Sequence, residues 1–457
     1  MKHAVLFVGC ALLAGCAGPR PETPTEAAIT APPAWRTDPG AATTEISATW
    51  WLSFNDPVLT GVVEAALAHN VDIALAAERV AEARAQFHLA QARRWPDVTG
   101  AAGGGRDREV NPAFGIPEEQ YAGKAELSIS YDLDLFGRLA DSSEAARSAL
   151  LSSEASRDNV RLAVAASAAS GYISLRGFDA RLDVLRLTLA ARANSLRIAK
   201  RRADAGYASQ LDLAQAEADY RAAEQQIPAA ELAITRQENG LSILLGDSPR
   251  AIERGVELAK LALPTVPISL PAKLMRRRPD IIAAEEQVAA ADHSLDAARD
   301  SYMPDVRISA DGGLVGSTLF PSPIWIFSLG GSILAPIFDA GRLDAQQEAA
   351  AARRNQAAFA YRKTVLTAFK EVEDAMAALR DLDRQEASLT AQQQSLQRAL
   401  TLATNRYREG YSPYLDQLDA ERGLLASELA LVQLRADRLN AAVSLFQALG
   451  GGWGVAK

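Results

Sequence analysis

The sequence predicts a mainly α-helical protein that also carries a membrane β-sheet, four strands per chain, all built from one unit written twice. Three observations predict it. The chain matches itself at an almost constant spacing, one stretch alternates apolar and polar residues with period two, and two proline-free stretches are long enough for exceptionally long helices.

The repeat is explicit. Gly137-Arg138-Leu139 recurs as Gly341-Arg342-Leu343, a shift of 204 positions (341 minus 137). The same shift carries Arg202 to Arg406, Gly206-Tyr207 to Gly410-Tyr411, Leu211-Asp212 to Leu415-Asp416, and Leu245-Gly246 to Leu449-Gly450. Upstream the shift is 208 (280 minus 72), taking Asp72-Ile73 to Asp280-Ile281 and Pro96-Asp97-Val98 to Pro304-Asp305-Val306. The register changes only between Val98 and Gly137, so one loop differs in length by four residues.

Each unit opens with a helix, Asp72 to Arg94 and its copy from Pro279 to about Tyr302. Pro279 suits a first helical position, where a missing N–H costs nothing, and Trp95-Pro96 and Met303-Pro304 stop the two helices. A strand hairpin follows. From Lys124 to Leu135 every odd position is apolar and every even one polar, which places one face in oil and one in water. In the copy, Phe327, Leu329 and Ile333 alternate with Ser328, Gly330 and Ser332. The partner strands fall near Val98 to Gly105 and Val306 to Gly312. Tyr121, Tyr131, Phe136, Trp325, Phe327 and Phe338 lie near strand ends, as interfacial aromatic girdles do.

Long helices come next. Arg138 to Arg202 would span about 100 Å at 1.5 Å per residue. Leu175, Phe178, Leu182, Leu185, Leu189 and Leu196, with Ala193 filling a gap, step by three and four; Leu382, Leu389, Leu396 and Ala403 repeat every seven. Such seams predict helices wound around one another in a left-handed sense. Gly206 and Gly410 break each long helix, and a second helix returns to Gly246 and Gly450, giving one helical hairpin per unit.

The domain reading follows. Residues 1–15 form a signal peptide, too short in its apolar core to remain as a span. Leu13-Ala14-Gly15-Cys16 resembles the bacterial lipobox, making Cys16 the lipidation site, and Ala17 after it favours the outer membrane. Residues 16–50 form an extended Pro/Thr/Ala-rich tether, 51–246 the first repeat, 247–270 a proline-rich linker, 271–452 the second repeat, and 453–457 a tail. Cys10 and Cys16 are the only cysteines, so the mature chain carries no disulfide.

Four strands cannot close a membrane barrel, and an open edge in lipid is prohibitively costly. The chain therefore pools strands with further copies. A dimer gives eight strands and a pore filled by side chains; a trimer gives twelve and a lumen.

Other function classes find little support. With 48 basic and 56 acidic residues the net charge is −8, which argues against nucleic acid as a partner. His3, His69, His88 and His293 lack the pairing of a metal site. No phosphate loop or nucleophile elbow is present, so the sequence points to no enzyme and no cofactor.

The duplicated hairpin-plus-coiled-coil unit resembles the TolC-like outer-membrane efflux family, and within it the lipoprotein outer-membrane subunits of resistance-nodulation-division (RND) tripartite pumps. The resemblance rests on Cys16, Arg277-Arg278-Pro279-Asp280-Ile281, Asp134-Leu135-Phe136-Gly137-Arg138, Pro336-Ile337-Phe338-Asp339-Ala340-Gly341-Arg342, the Tyr407-to-Ala420 stretch and Leu449-Gly450-Gly451-Gly452-Trp453. It covers about Trp50 to Trp453. It implies a homotrimer with a 12-stranded β-barrel in outer-membrane lipid, continued by a periplasmic α-helical coiled-coil barrel whose closed inner end is opened by partners. It also implies a passive conduit for small amphipathic compounds, working with a periplasmic adaptor protein and an inner-membrane RND transporter. The alternative is the outer channel of a type I protein secretion system.

By position, Tyr407, Asp416 and Asp419 match the family's aperture residues, and Asp212 the corresponding aspartate of the first hairpin. Where the family's best-known member has an arginine, this chain has Ser412, so a latch must use other groups such as Arg406, Arg408 or Arg422. Three copies of Asp416 and Asp419 around a narrow axis would select cations, as acidic rings do. The hairpin tips, Arg202, Gly206 and Tyr207 with Arg406, Gly410 and Tyr411, are the expected docking surface for the adaptor.

Overall fold

The computed structural model describes residues 19–37, 46–111, 115–268, 271–319 and 321–452; Cys16 lies outside them. Helix α1 (Pro57–His69) leads into α2 (Val71–Ala92), the hairpin β1 (Asp97–Asn111) and β2 (Ile116–Leu133), and the long hairpin α3 (Arg138–Asp204) and α4 (Gln210–Leu244). After a short helix α5 (Pro271–Leu274), the order recurs as α6 (Pro279–Asp300), β3 (Asp305–Ser317), β4 (Ile324–Leu334), α7 (Arg342–Arg408) and α8 (Tyr414–Ala448).

Helix α1 carries no repeat signal, yet its start is written locally. Asp56 accepts from Val58 N at 2.8 Å and Leu59 N at 3.3 Å, with Pro57 in the first turn. A window within Pro57–Ala92 reaches mean hydropathy 1.4, apolar and long enough by composition to cross a membrane. Asn70 interrupts it. Its extended backbone ends α1, and its Oδ1 accepts from Asp72 N and Ile73 N to begin α2.

The chain divides into two compact units. Among the described residues, one comprises 19–29, 78–154 and 283–363 and holds the sheet, four antiparallel strands in the order β1-β2-β3-β4. Its register explains the period of two. Thr99, Ser128, Asp311 and Ser328 lie in one row across all four strands, and both serine hydroxyls donate to the Asp311 carboxylate. Arg307 pairs with Asp132 on that same face. The next row, Val98, Ile129, Ala310 and Leu329, belongs to the opposite, apolar face. β1 runs six residues beyond the predicted Gly105, through Arg106 and Arg108. Its full-length ladder with β2 supplies backbone bonds that weak strand propensity does not predict.

Where strands become helices, Asp134 accepts from Leu139 N and Ala140 N at the head of α3, and Asp339 accepts from Gly341 N and Leu343 N at the head of α7. Next to the first of these caps, Asp300 faces Asp141, which also contacts His293 at 3.2 Å. Burial, then the charge of Asp141 and Asp296 and a hydrogen bond with Asp141, push the Asp300 carboxyl up to about 6. The native chain therefore holds a proton here that the unfolded chain releases near pH 4, and stability falls as pH rises from 4 to 6. Solvent reaches this half-buried group, so the cost above pH 6 is about 1 kcal/mol. Asp300→Asn should recover it at pH 7.5 and give no gain at pH 4. Thermal unfolding in detergent at the two pH values checks this; an equal gain at both refutes the assignment.

The N-terminal segment is pinned in the same unit. Arg20 grips Asp292 and Asp296 on α6, and Arg354 of α7, 2% exposed, donates to the carbonyls of Pro21 and Glu22.

The second unit comprises the described residues within 30–77, 155–282 and 364–452. Trp50 stacks on Phe446 and meets Trp51 and Phe54 edge-on. Beside them the buried Asp56 also accepts from Tyr172 Oη at 3.1 Å and Val256 N at 3.0 Å. Residues 247–268, proline-rich and expected as a linker, pack here through Ile252, Leu258, Leu261 and Val266. Arg254 lies between Asp179 and Glu238.

Candidate aperture and hairpin tips

Both long helices end in the same way. Gly206 and Gly410 adopt φ of +78° and +82°, values that favour glycine. Tyr207 N donates to Arg202 O at 2.7 Å and Gly206 N to Ala203 O at 3.0 Å; Tyr411 N and Gly410 N make the matching bonds to Arg406 O and Tyr407 O. These are Schellman closures, which satisfy the last carbonyls of a helix and reverse the chain. Ser209 then caps α4 by accepting from Asp212 N at 3.1 Å. Tyr207, Tyr411 and Arg406 are left exposed at the turns.

Arg202 is turned inward. It donates to Tyr407 O at 2.9 Å and Arg408 O at 2.6 Å, and its guanidinium sits 4.7 Å from the centre of the Tyr407 ring. One cation thus ties the first tip to the C-terminus of α7, where the helix dipole favours it. Tyr407 itself packs in a small core with Ala199, Ala216, Tyr414 and Leu418, its ring tilted against Tyr414 at 5.5 Å. Burial, then Glu421 and Asp219, push the Tyr414 hydroxyl above its ordinary range.

Asp416 and Asp419 are both exposed, one turn apart on α8, and Asp212 is half-buried in the first turn of α4. Below them lies a buried polar network that sequence reasoning missed. Arg192 of α3 and Asp219 of α4 are both 6% exposed at the side chain and pair at 3.2 Å; Arg422 of α8 adds a second guanidinium at 2.9 Å. Gln417 donates to Glu421 Oε1 at 2.7 Å and to Ser195 Oγ at 3.3 Å. The heptad reading placed Ala193 in the seam, but Ala193 is exposed and Arg192 is buried in its place. Asp219 across the seam is the reason: it offers the charge that lets an arginine enter.

A signal for this site was present in the duplication. The counterparts of Arg192 and Asp219 at +204 are Leu396 and Gly423, and there a Cβ on Gly423 would stand 3.2 Å from Leu396 Cδ2. One repeat carries an ion pair where the other carries an apolar contact. Among the described residues no three His, Cys, Asp or Glu side chains come together as a metal site.

The outer membrane efflux protein family matches residues 62–247 and 270–451 of this chain. The solvent efflux pump outer membrane protein SrpC of Pseudomonas putida is 34% identical over 412 residues, 88% of this chain and 87% of the relative. The pyoverdine export outer membrane protein OpmQ of Pseudomonas aeruginosa is 32% identical over 474 residues, 99% and 97% of the two. Among solved structures, VceC of Vibrio cholerae aligns with a TM-score of 0.83 at 29% identity, covering 89% of this chain and all of VceC. The Campylobacter jejuni outer membrane channel CmeC aligns with a TM-score of 0.85 at 25% identity, covering 94% and 95%.

Proposed function

We propose that this chain, which belongs to the outer membrane efflux protein family, is the passive outer-membrane conduit of a tripartite efflux pump and works as a trimer. The observation that carries this reading is the sheet. It has one apolar face, one polar face and two edge strands, β1 and β4, with no partner among the described residues. In lipid both edges must pair, and three copies give twelve strands around a polar lumen. The relatives' names, which specify solvents, toluene, antibiotics and pyoverdine, support small amphipathic cargo over secreted protein.

Cys16, four residues before the pinned Arg20, would carry the lipid and hold the periplasmic helices under the membrane. The exposed turn residues Tyr207, Arg406 and Tyr411 would receive the periplasmic adaptor, with an RND transporter beneath it supplying the energy. Arg202 and Tyr407 would keep the tip closed, and Asp416, Asp419 and Asp212 would line the aperture.

Purified protein in planar bilayers tests the reading. Discrete ion conductance from material of three-chain mass is expected. A conductance-free monomer would remove both the conduit and the assembly.

A further inference from the structure

A cavity of about 430 Å³ lies in the second unit between α3, α4 and α8, beside the packed cluster of Leu182, Leu185 and Ala230. Its origin is written in the difference between the repeats. Gly177, Ala229, Ala230 and Ala233 line it where the second repeat has Asp381, Gln433, Leu434 and Asp437, so side chains are cut back in one place. Pro228, inside α4 among these alanines, stands where the second repeat has Val432. It lacks the N–H that would bond Glu224 O, and a gap of this kind bends helices. A third wall closes the space. A Cβ on Gly177 would stand 3.3 Å from Ala436 Cβ, so the glycine lets α8 come close to α3. At the equivalent positions α7 and α8 hold only a groove, which no third helix lines.

The lining is ordered by chemistry. Ser174, Phe178 and Arg181 follow at steps of four and three on α3 and so share one face. They set a hydroxyl, a ring and a cation in a row about 10 Å long, at 1.5 Å per residue. Arg181 is exposed and makes no ion pair among the described residues. Ser174 Oγ accepts from Asn440 Nδ2 at 3.4 Å, and its own hydrogen goes to no acceptor among the described residues. Across the cavity Asp437 already accepts from Gln433 at 2.8 Å. The groups left over are therefore donors, a guanidinium at one end and a hydroxyl at the other. Leu429, Val432 and Ala436 supply an apolar wall. A space of this size, mostly apolar with a few placed polar groups, is what small-molecule sites share.

We propose that this cavity binds an amphipathic aromatic anion, with its ring system against Phe178 and its anionic group on Arg181. Asp437 fixes the direction of entry, because its charge repels an anion placed at the α8 wall. The site is formed by three helices of one chain and holds its ligand in place, so it goes beyond the conduit reading and does not depend on it. When filled it braces those helices, and binding stabilises the folded chain by mass action.

Anilinonaphthalenesulfonate, a sulfonate on an aromatic body that brightens on leaving water, is the probe. Titrated into the full-length protein in amphipol, against protein-free amphipol, it should saturate at a single probe per chain. Ala233→Leu fills the cavity and should abolish the saturable signal. Arg181→Gln installs at an exposed position the residue type of the other repeat, Gln385, and so spares the fold. It should weaken binding at least about fivefold, the loss of a charge-assisted contact. Phenylnaphthylamine, the same body without the sulfonate, should bind the natural chain and Arg181→Gln equally weakly, which separates recognition of charge from loss of shape. No saturable binding to the natural chain, or binding that neither substitution changes, overturns the site. Loss with Ala233→Leu alone overturns the anionic class, and weakening with Arg181→Gln alone puts the probe on the surface and overturns the cavity. The conduit stands under each of these results.

Discussion

Replacing Asp219 with alanine should destabilise the chain by about 3–5 kcal/mol, whereas Arg192→Leu with Asp219→Gly should regain most of that loss. The first figure is the cost of leaving a buried charge without its partner. The Arg192 side chain is 6% exposed and Asp219 is its ion-pair partner among the described residues, so without that carboxylate the guanidinium keeps its hydrogen bond to the residue-219 main-chain carbonyl at 3.2 Å and loses its counter-charge. The second figure follows from the other repeat, where Leu396 and Gly423 already occupy the same two positions in contact. A buried ion pair exchanged for a packed apolar pair is often neutral, and a glycine inside a helix costs about 1 kcal/mol. The double variant should therefore lie within about 1–2 kcal/mol of the natural chain. Urea unfolding in detergent checks both values. A double variant no more stable than Asp219→Ala would show that Arg422, not Arg192, dominates the site.

What the sequence made legible was whatever repeats. Helix and strand order follow from two offsets, and the pairs α2 and α6, α3 and α7, and α4 and α8 confirm those offsets to the residue. The alternation from Lys124 to Leu135 identified both faces of β2 before any partner was known, because a period of two admits only that geometry. Two kinds of feature were hidden. Helix α1 has no two consecutive residues that recur in the second repeat at either offset, and its signal is a cap and a proline, Asp56-Pro57, that many turns also carry. The Arg192–Asp219 pair breaks the heptad rule, and a pattern search that scores apolar residues passes over an arginine whose partner lies 27 positions away. Differences between the repeats, rather than their likeness, marked the charged site. The same contrast separates Asp300, crowded by acids, from its counterpart Ala92.

Neutralising Asp416 and Asp419 together should abolish most of the cation preference of the assembled channel. Both carboxylates are exposed and lie one turn apart on α8, so a trimer would present six negative charges at the hairpin tips. Fixed charges around a narrow opening raise the local concentration of counter-ions and exclude ions of like sign. Asp416→Asn with Asp419→Asn keeps shape and removes charge. The cation-to-anion permeability ratio should fall several-fold toward unity. The change should be larger at 0.1 M salt, where the screening length is about 10 Å, than at 1 M, where it is about 3 Å. Asp437, an acid near the other end of α8, serves as the control: Asp437→Asn should leave selectivity unchanged. If the double variant keeps the natural permeability ratio at low salt, these carboxylates do not line the constriction, and the half-buried Asp212 or the polar sheet face around Asp311 must set the ion preference.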